Sequence, residues 1–308
     1  MPSCHDYCGF IDTEAHNSLQ RVTLMAFRQG RNDPTFALLD DSLWRATLTP
    51  MGPGTLRIKN PFSPHPKFEA FGPGAEWLVD HGAELLGSCD RLTPIQAVHE
   101  SVKAAQRKHG LLLFGRSSTP YHELLPAVLG QRVTAVEALT QWRNIVNEWG
   151  DVAPGPVSEL RLPPDPQRLA ELPYFAFHKF GIEKKRADTL VAVARHSSWL
   201  MGSAFDSIDP SAATLELQKI PGVGIWTASV AGAVAFGDAD ALQVGDFHVK
   251  NTAAWALRGT PRGTDDEMIH DMQPYAGNRH RVMRWLELDG WRAPARGPRR
   301  RNVSITRL

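Results

Sequence analysis

The sequence predicts a mainly α protein, with an all-helical domain over residues 117–290, a smaller mixed α/β domain over 1–116 before it and a basic tail at 291–308. Three observations predict this. After about residue 117 the apolar residues recur at helical spacing, and no run there alternates convincingly as a strand. Before residue 60 several short runs alternate or are rich in β-branched residues, and glycine and proline punctuate them. The chain, at 308 residues, is also longer than one compact core usually supports.

The elements follow in order. Strand-like runs occupy 21–27 (RVTLMAF), 43–49 (LWRATLT) and 55–59 (TLRIK), separated by MGPG and followed by NPFSPHP. Helix-like stretches are expected at 74–86 and 94–109. A short helix is expected at 124–130. Thr134-Ala-Val-Glu137 has capping-box spacing, and Val136, Leu139, Val146 and Trp149 carry a helical pattern from it to Trp149. DVAPGPVSELRLPPDP reads as a proline-rich connector. Helices resume at 184–196 and after Asp209-Pro210, where Asp caps and Pro suits the first turn. Thr264-Asp-Asp-Glu267 is a second capping box, and 278–288 a last helix.

Composition narrows the class. A hydrophobic content of 42% and a charged content of 22% are ordinary for a globular protein. No run is long and apolar enough for a membrane span, and MPSCHDYCGF lacks a signal pattern, so a cytoplasmic location is expected. The three cysteines, Cys4, Cys8 and Cys89, argue against a disulfide framework and are too few for an iron–sulfur cluster. Cys4 and Cys8 with His5 and Asp6 lack the second ligand pair of a zinc site. Net charge is only +1, yet residues 276–308 hold nine arginines and two acids. Such a segment suits phosphate contact, and for Arg299, Arg300 and Arg301 a solvated tail explains it equally well.

The most informative stretch is LQKIPGVGIWTASVAGAVAFGDADALQVGDFHVKN, residues 217–251. Pro221 stops a helix, and Gly222 and Gly224 permit a tight turn leading straight into the next helix. Amides at such a helix start point outward and suit a phosphate oxygen, a contact that positions DNA without reading its sequence. An ordinary helical hairpin with close-packed glycines has the same pattern. What distinguishes this one is Asp246, twenty-two residues after Gly224, opening a further helix-like run. Asp246 suits an N-cap, and it comes beside the turn if the intervening helix brings the chain back.

LxxIPGVGxWTA followed by VGDFHVKN resembles the helix-hairpin-helix base-excision DNA glycosylase superfamily, most closely the bacterial 3-methyladenine DNA glycosylase II group. Leu129-Gly-Gln-Arg-Val-Thr134 resembles the segment that enters DNA from the minor groove, and Phe180-Gly-Ile-Glu-Lys-Lys-Arg-Ala187 the helix start upstream of the hairpin. The similarity runs from about residue 120 to 290. By the same resemblance the N-terminal half is a small antiparallel-sheet domain. The resemblance implies a monomeric enzyme acting on nucleoid DNA, with damaged double-stranded DNA as partner and Asp246 as catalytic carboxylate. It also implies DNA contacts through Gly222, Val223, Gly224 and Thr227. Gln131 then bonds the base left unpaired, and Arg132 stacks in the gap. The carbonyls of Gln218, Ile220 and Val223 match positions that hold a monovalent cation (Na+ or K+), and no other cofactor is implied.

Family members that also cut the backbone carry a lysine where this chain has Trp226, so the resemblance implies hydrolysis without lyase activity. Trp226 suits a pocket wall that stacks on a flipped, cationic base, with a core position as the alternative. Phe247 and His248 are candidates for the same pocket. Phe175, with Phe177 and His178, is an outlying candidate. A lone carboxylate suits alkylated purines, whose positive charge already weakens the glycosidic bond: an anion need only stabilise the sugar cation or orient water. The departures are Val244-Gly245-Asp246 for Gly-Pro-Asp, Val230 where an aromatic is usual, and Arg132 where the intercalating residue is apolar. They leave open a glycosylase for deaminated or oxidised bases. A non-catalytic DNA-binding hairpin is a further alternative, which would need neither the acid nor the stacking aromatics.

Overall fold

In the computed structural model, which describes residues 13–294, four strands form one antiparallel sheet in the order β1 (Phe36–Leu39), β2 (Ser42–Thr49), β3 (Gly52–Lys59) and β4 (Lys67–Phe71). Cys4, His5, Asp6, Cys8 and the arginines at 296 and 299–301 lie outside the described residues. Register pairs Leu43 with Ile58 and Trp44 with Arg57. Alternation along β2 sends the two sets of side chains to opposite faces. Leu43, with Leu56 and Ile58, packs into a core with Leu24, Phe27 and Leu78. Trp44 and Ala46 pack on Ala153, Leu160 and Leu162 from the proline-rich connector.

Helix α1 (Thr13–Met25) precedes the sheet, and α2 (Ala75–Asp80) with a 3₁₀ turn at Gly82–Leu86 follows it. After these come α3 (Glu100–His109), α4 (Pro120–Leu129), α5 (Ala135–Trp149), α6 (Pro166–Glu171) and a second 3₁₀ turn at Tyr174–Phe180. Next are α7 (Lys184–Arg195), α8 (Ser197–Leu200), α9 (Pro210–Glu216), α10 (Ile225–Ala235), α11 (Phe247–Arg258), α12 (Asp265–Asp271) and α13 (Arg279–Leu288). The fold is mainly α with a small antiparallel sheet, as the sequence predicts. No helix among the described residues is long and apolar enough to cross a membrane.

The helices build two cores. In one, Leu124, Leu125, Val128, Trp142, Ile145, Leu190, Leu217, Ile220, Ala228 and Ala231 pack together, so α4, α5, α7 and α10 share it. In the other, Val102, Leu112, Val249, Ala253, Met272, Tyr275, Trp285 and Leu286 join α3, α11 and α13. Helix α10 thus belongs to the first core and α11 to the second.

Two local expectations are corrected. Residues 21–27 do not form a strand, since α1 runs through them to Met25. Its Leu19 and Val22 reach one core and Leu24 another, a helical division that outweighs the β preference of Val22 and Thr23. Thr23 is accommodated because its hydroxyl donates to the carbonyls of Leu19 (3.2 Å) and Leu113 (2.7 Å). The helix expected over 94–109 begins only at Glu100. Before it, the chain lies along the C-terminal helices: Asn278 donates to Thr93 (2.8 Å), and the Tyr275 hydroxyl takes the His99 amide (3.2 Å).

Sheet and helices are joined by a buried polar cluster. Arg45 on β2 pairs with Glu123 on α4, both nearly sealed from solvent. Beside them the Thr47 hydroxyl contacts His122 Nδ1 at 2.9 Å, and Arg45 donates to the same nitrogen at 3.4 Å. Arginine is only a donor, so Nδ1 accepts and the ring is neutral. Burial, aided by the Arg45 charge, holds His122 well below the usual imidazole range. Its proton is therefore taken up only on unfolding. Stability should be steady above pH ~6.5 and fall as pH drops below it, by up to ~1.4 kcal/mol per pH unit for this group. Thermal melts from pH 8 to 5 test this, with His122→Gln expected to make the acid side shallower and His280, which desolvation holds down to about 3, accounting for the slope that remains.

Candidate functional site

The hairpin forms as its residue types require. The 3₁₀ turn Leu217–Lys219 ends at Ile220, whose carbonyl takes the Val223 amide at 3.0 Å. Gly222 between them has φ 87°, and a Cβ there would lie 2.1 Å from the Thr189 hydroxyl. Both the left-handed backbone and the contact with α7 exclude a side chain. Gly224 is the N-cap of α10 and provides no side-chain cap, while a Cβ on it would meet nothing within 4 Å. By contrast Thr134, Asp165, Asp209, Asp246 and Thr264 cap their own helices. With no side-chain cap and open space beside Gly224, the start of α10 leaves room for an external anion.

Gln131, in the turn after α4, grips this hairpin. Its amide nitrogen donates to the Gly222 carbonyl (3.1 Å) and to the Thr227 hydroxyl (2.9 Å). That engages both its N–H bonds and leaves only its oxygen for another partner. Arg132 beside it is exposed and has φ 60°, a left-handed conformation that costs a non-glycine residue roughly 1–2 kcal/mol. The turn is supported from below by buried Arg186, which donates to the Leu129 carbonyl (2.8 Å) and to Gln141 (2.7 Å).

The return that the sequence requires after α10 is made across residues 236–246. The Ser229 hydroxyl holds the Leu242 carbonyl at 3.1 Å, and Asp240 takes the Arg279 amide at 2.9 Å. Asp246 then caps α11: its Oδ1 accepts the amides of His248 (2.7 Å) and Val249 (3.1 Å). Its other oxygen, Oδ2, accepts the indole N–H of Trp226 at 3.0 Å. Trp226 lies two residues past Gly224, so acid, indole and hairpin form one constellation.

The remaining candidates divide. Phe247 and His248 adjoin Asp246, are exposed, and meet edge to face at 5.4 Å; the Arg262 guanidinium lies 5.3 Å from the Phe247 ring. Phe175 is also exposed, but its ring meets Tyr174 at 5.9 Å. Phe177 is a core residue against Trp149. The carbonyls of Gln218, Ile220 and Val223 lie around the hairpin turn, that of Ile220 already accepting from Val223.

Two supports were not foreseen. Asp265 accepts the Gly245 amide at 2.8 Å and pairs with Lys250 at 2.9 Å, which fixes the residue before Asp246 at φ 92°. Asn251 donates to the Phe247 carbonyl (2.7 Å) and accepts from the Gly263 amide (3.1 Å). Asp265 is visible in sequence only as part of a helix start, and its tie to a residue twenty positions earlier has no local signal.

Solved structures share this overall fold. A 3-methyladenine DNA glycosylase from Archaeoglobus fulgidus superposes with a TM-score of 0.67 at 15% identity, over 87% of this chain and 94% of its own. The chain has the helix-hairpin-helix DNA glycosylase fold. An 8-oxoguanine glycosylase/lyase from Clostridium acetobutylicum shares this fold, with a TM-score of 0.55 at 15% identity over 86% and 91% of the two chains. Schizosaccharomyces pombe 3-methyladenine DNA glycosylase Mag1, in complex with abasic DNA, matches with a TM-score of 0.50 at 18% identity over 62% and 91%. No family profile matches the sequence, and no curated protein does.

Within this fold the two hairpin glycines should respond differently. Gly222→Ala adds left-handed strain to a collision with Thr189 and should cost roughly 2 kcal/mol or more. Gly224→Ala meets open space and should cost less than about 1 kcal/mol, the difference between Gly and Ala as an N-cap. Denaturant melts of the two variants measure the contrast.

Proposed function

We propose that this protein is a monofunctional DNA glycosylase that flips alkylated purines out of damaged double-stranded DNA and hydrolyses their N-glycosidic bond. The observation that carries the reading is the Asp246 carboxylate bound to the Trp226 indole beside an uncapped hairpin helix. The amides at the start of α10 take a phosphate of the damaged strand, and the exposed Arg132 fills the space left by the extruded base. Gln131, held by the hairpin, offers its carbonyl oxygen to the orphaned partner.

The chemistry follows from the charges. A purine alkylated at a ring nitrogen is cationic, so as its bond to C1′ breaks the electron pair neutralises the base and no proton need be supplied. Positive charge moves to the sugar, where the Asp246 carboxylate stabilises it. Water adds to C1′ and loses its proton to Asp246 or to solvent. The product is an intact abasic site, because an indole at position 226 cannot form the Schiff base that leads to strand cleavage. In this reading Phe247 and His248, exposed beside Asp246, border the flipped base.

The carbonyls of Gln218, Ile220 and Val223 are neutral oxygens of one turn, a donor set suited to Na+ or K+. Ile220 keeps one lone pair after accepting from Val223, so the fit is chemically allowed. Such an ion would neutralise the carbonyls and add positive field toward a phosphate. In this reading the protein works as a monomer in the cytoplasm, on nucleoid DNA.

Asp246→Asn keeps size and capping but removes the charge and, because its NH2 cannot accept the Trp226 N–H, the indole bond as well. Release of 3-methyladenine or 7-methylguanine from alkylated duplex should fall by orders of magnitude, while affinity for that duplex stays similar or rises. Wild-type product should carry no strand break and no borohydride-trappable complex. Normal excision by the asparagine variant would contradict the assignment of Asp246, and a trapped complex would contradict the monofunctional reading.

A further inference from the structure

The 3₁₀ turn Tyr174–Phe180 carries five aromatic rings, among them the exposed His178 imidazole that meets Tyr174 edge to face at 5.3 Å, and divides them in a way the core does not explain. Phe177 is fully buried and meets Trp149 edge to face at 4.8 Å, and Phe180 meets the same indole at 5.2 Å. These two anchor the turn, which closes at Gly181 (φ 75°) with the Gly181 carbonyl held by Gln141 at 3.0 Å. Tyr174 and Phe175 are left outside, 40% and 63% exposed, their rings in contact at 5.9 Å. Scattered exposed apolar residues are ordinary, but a paired aromatic surface on a pinned backbone is not.

What adjoins the pair shows what it fits. The Lys184 ammonium lies 4.9 Å from the centre of the Tyr174 ring. The same Lys184 lines an open groove with Lys185, Asp188, Thr189, Pro221 and Gly222. One surface therefore runs from the hairpin turn, past two lysines, to two exposed rings. Asp188 is the acid in it, and it pairs with Lys184. A basic track ending in accessible aromatic faces is the chemistry that binds single-stranded nucleic acid: lysines follow the phosphates and rings stack on unpaired bases. A duplex, with its bases already stacked, offers the rings nothing.

We propose that Tyr174, Phe175, Lys184 and Lys185 bind an unpaired DNA strand leading away from the hairpin, so that the protein prefers duplex ending in a single-stranded extension. The proposal rests on the reading that the hairpin binds DNA. Fluorescence anisotropy at fixed salt tests it with two labelled probes, a blunt duplex and the same duplex bearing an overhang of about six nucleotides. The wild-type protein should bind the overhang probe roughly tenfold more tightly, as one or two stacked bases would give. The preference ratio should fall to about one in a Tyr174→Ala/Phe175→Ala double variant and persist in Tyr174→Trp. Gly224→Ala should weaken both probes together and keep the ratio. Equal wild-type affinity for the two probes, or a ratio unchanged in the double variant, would overturn the unpaired-strand site while leaving the hairpin reading intact. Failure to bind either probe would overturn both.

Discussion

The site depends on one carboxylate being held from two sides. Asp246 accepts two amides at the start of α11 with one oxygen and the Trp226 indole with the other. Helix α11 packs through Val249 and Ala253 into one helical core, and α10, which carries Trp226, packs through Ala228 and Ala231 into another. The 3.0 Å bond therefore crosses the seam between the cores, and the acid's position depends on both. An N-cap alone would leave the second oxygen free to turn toward solvent. With the indole in place the carboxylate plane is set.

Much of the surrounding structure keeps the two helices in register. The small residues of α10 let it approach α9 closely, and a Cβ on Gly232 would lie 2.1 Å from the Thr214 hydroxyl. The returning chain is tied to α10 through Ser229, to α9 through Ser211 on Asp238 (2.7 Å), and to α13 through Arg279 on Asp240. Asp265 then fixes Gly245, the last residue before the acid. On the other flank Gln131 and Arg186 tie the α4–α5 turn to the hairpin and to α5. The hairpin amides, the left-handed Arg132 and the acid thus belong to one hydrogen-bonded frame, the preorganisation on which the proposed stabilisation of a sugar cation relies.

Much of this was legible in sequence because it is local. Pro221, Gly222 and Gly224 announce a turn by their own backbone preferences, and Thr134, Asp209 and Thr264 announce helix starts by their caps, which the structure contains. The helices of 135–149 and 184–195 follow from apolar spacing. What could not be read is non-local. The tie between Asp265 and Gly245, and the Gln131 clasp across 91 residues to Gly222, leave no periodic trace. The run 21–27 misled because Val22 and Thr23 favour strands, while the division of Leu19, Val22 and Leu24 between two cores decides for a helix. Strands β1 and β4 are short and edge-placed, too brief to show alternation. Phe175 attracted attention as an aromatic, yet its ring contact is with Tyr174, which sequence spacing cannot tell from a pocket contact.

The indole at position 226 has two properties, a stacking face and a donating N–H, and they are separable. Phenylalanine keeps an aromatic face and loses the donor. If the account is right, Trp226→Phe should bind damaged duplex with near wild-type affinity but release the base more slowly under single-turnover conditions. A carboxylate freed to move by about 1 Å costs on the order of 100-fold in rate. A Trp226→Phe protein that excises the base at the wild-type rate would contradict the claim that this bond across the seam sets the carboxylate proposed as catalytic.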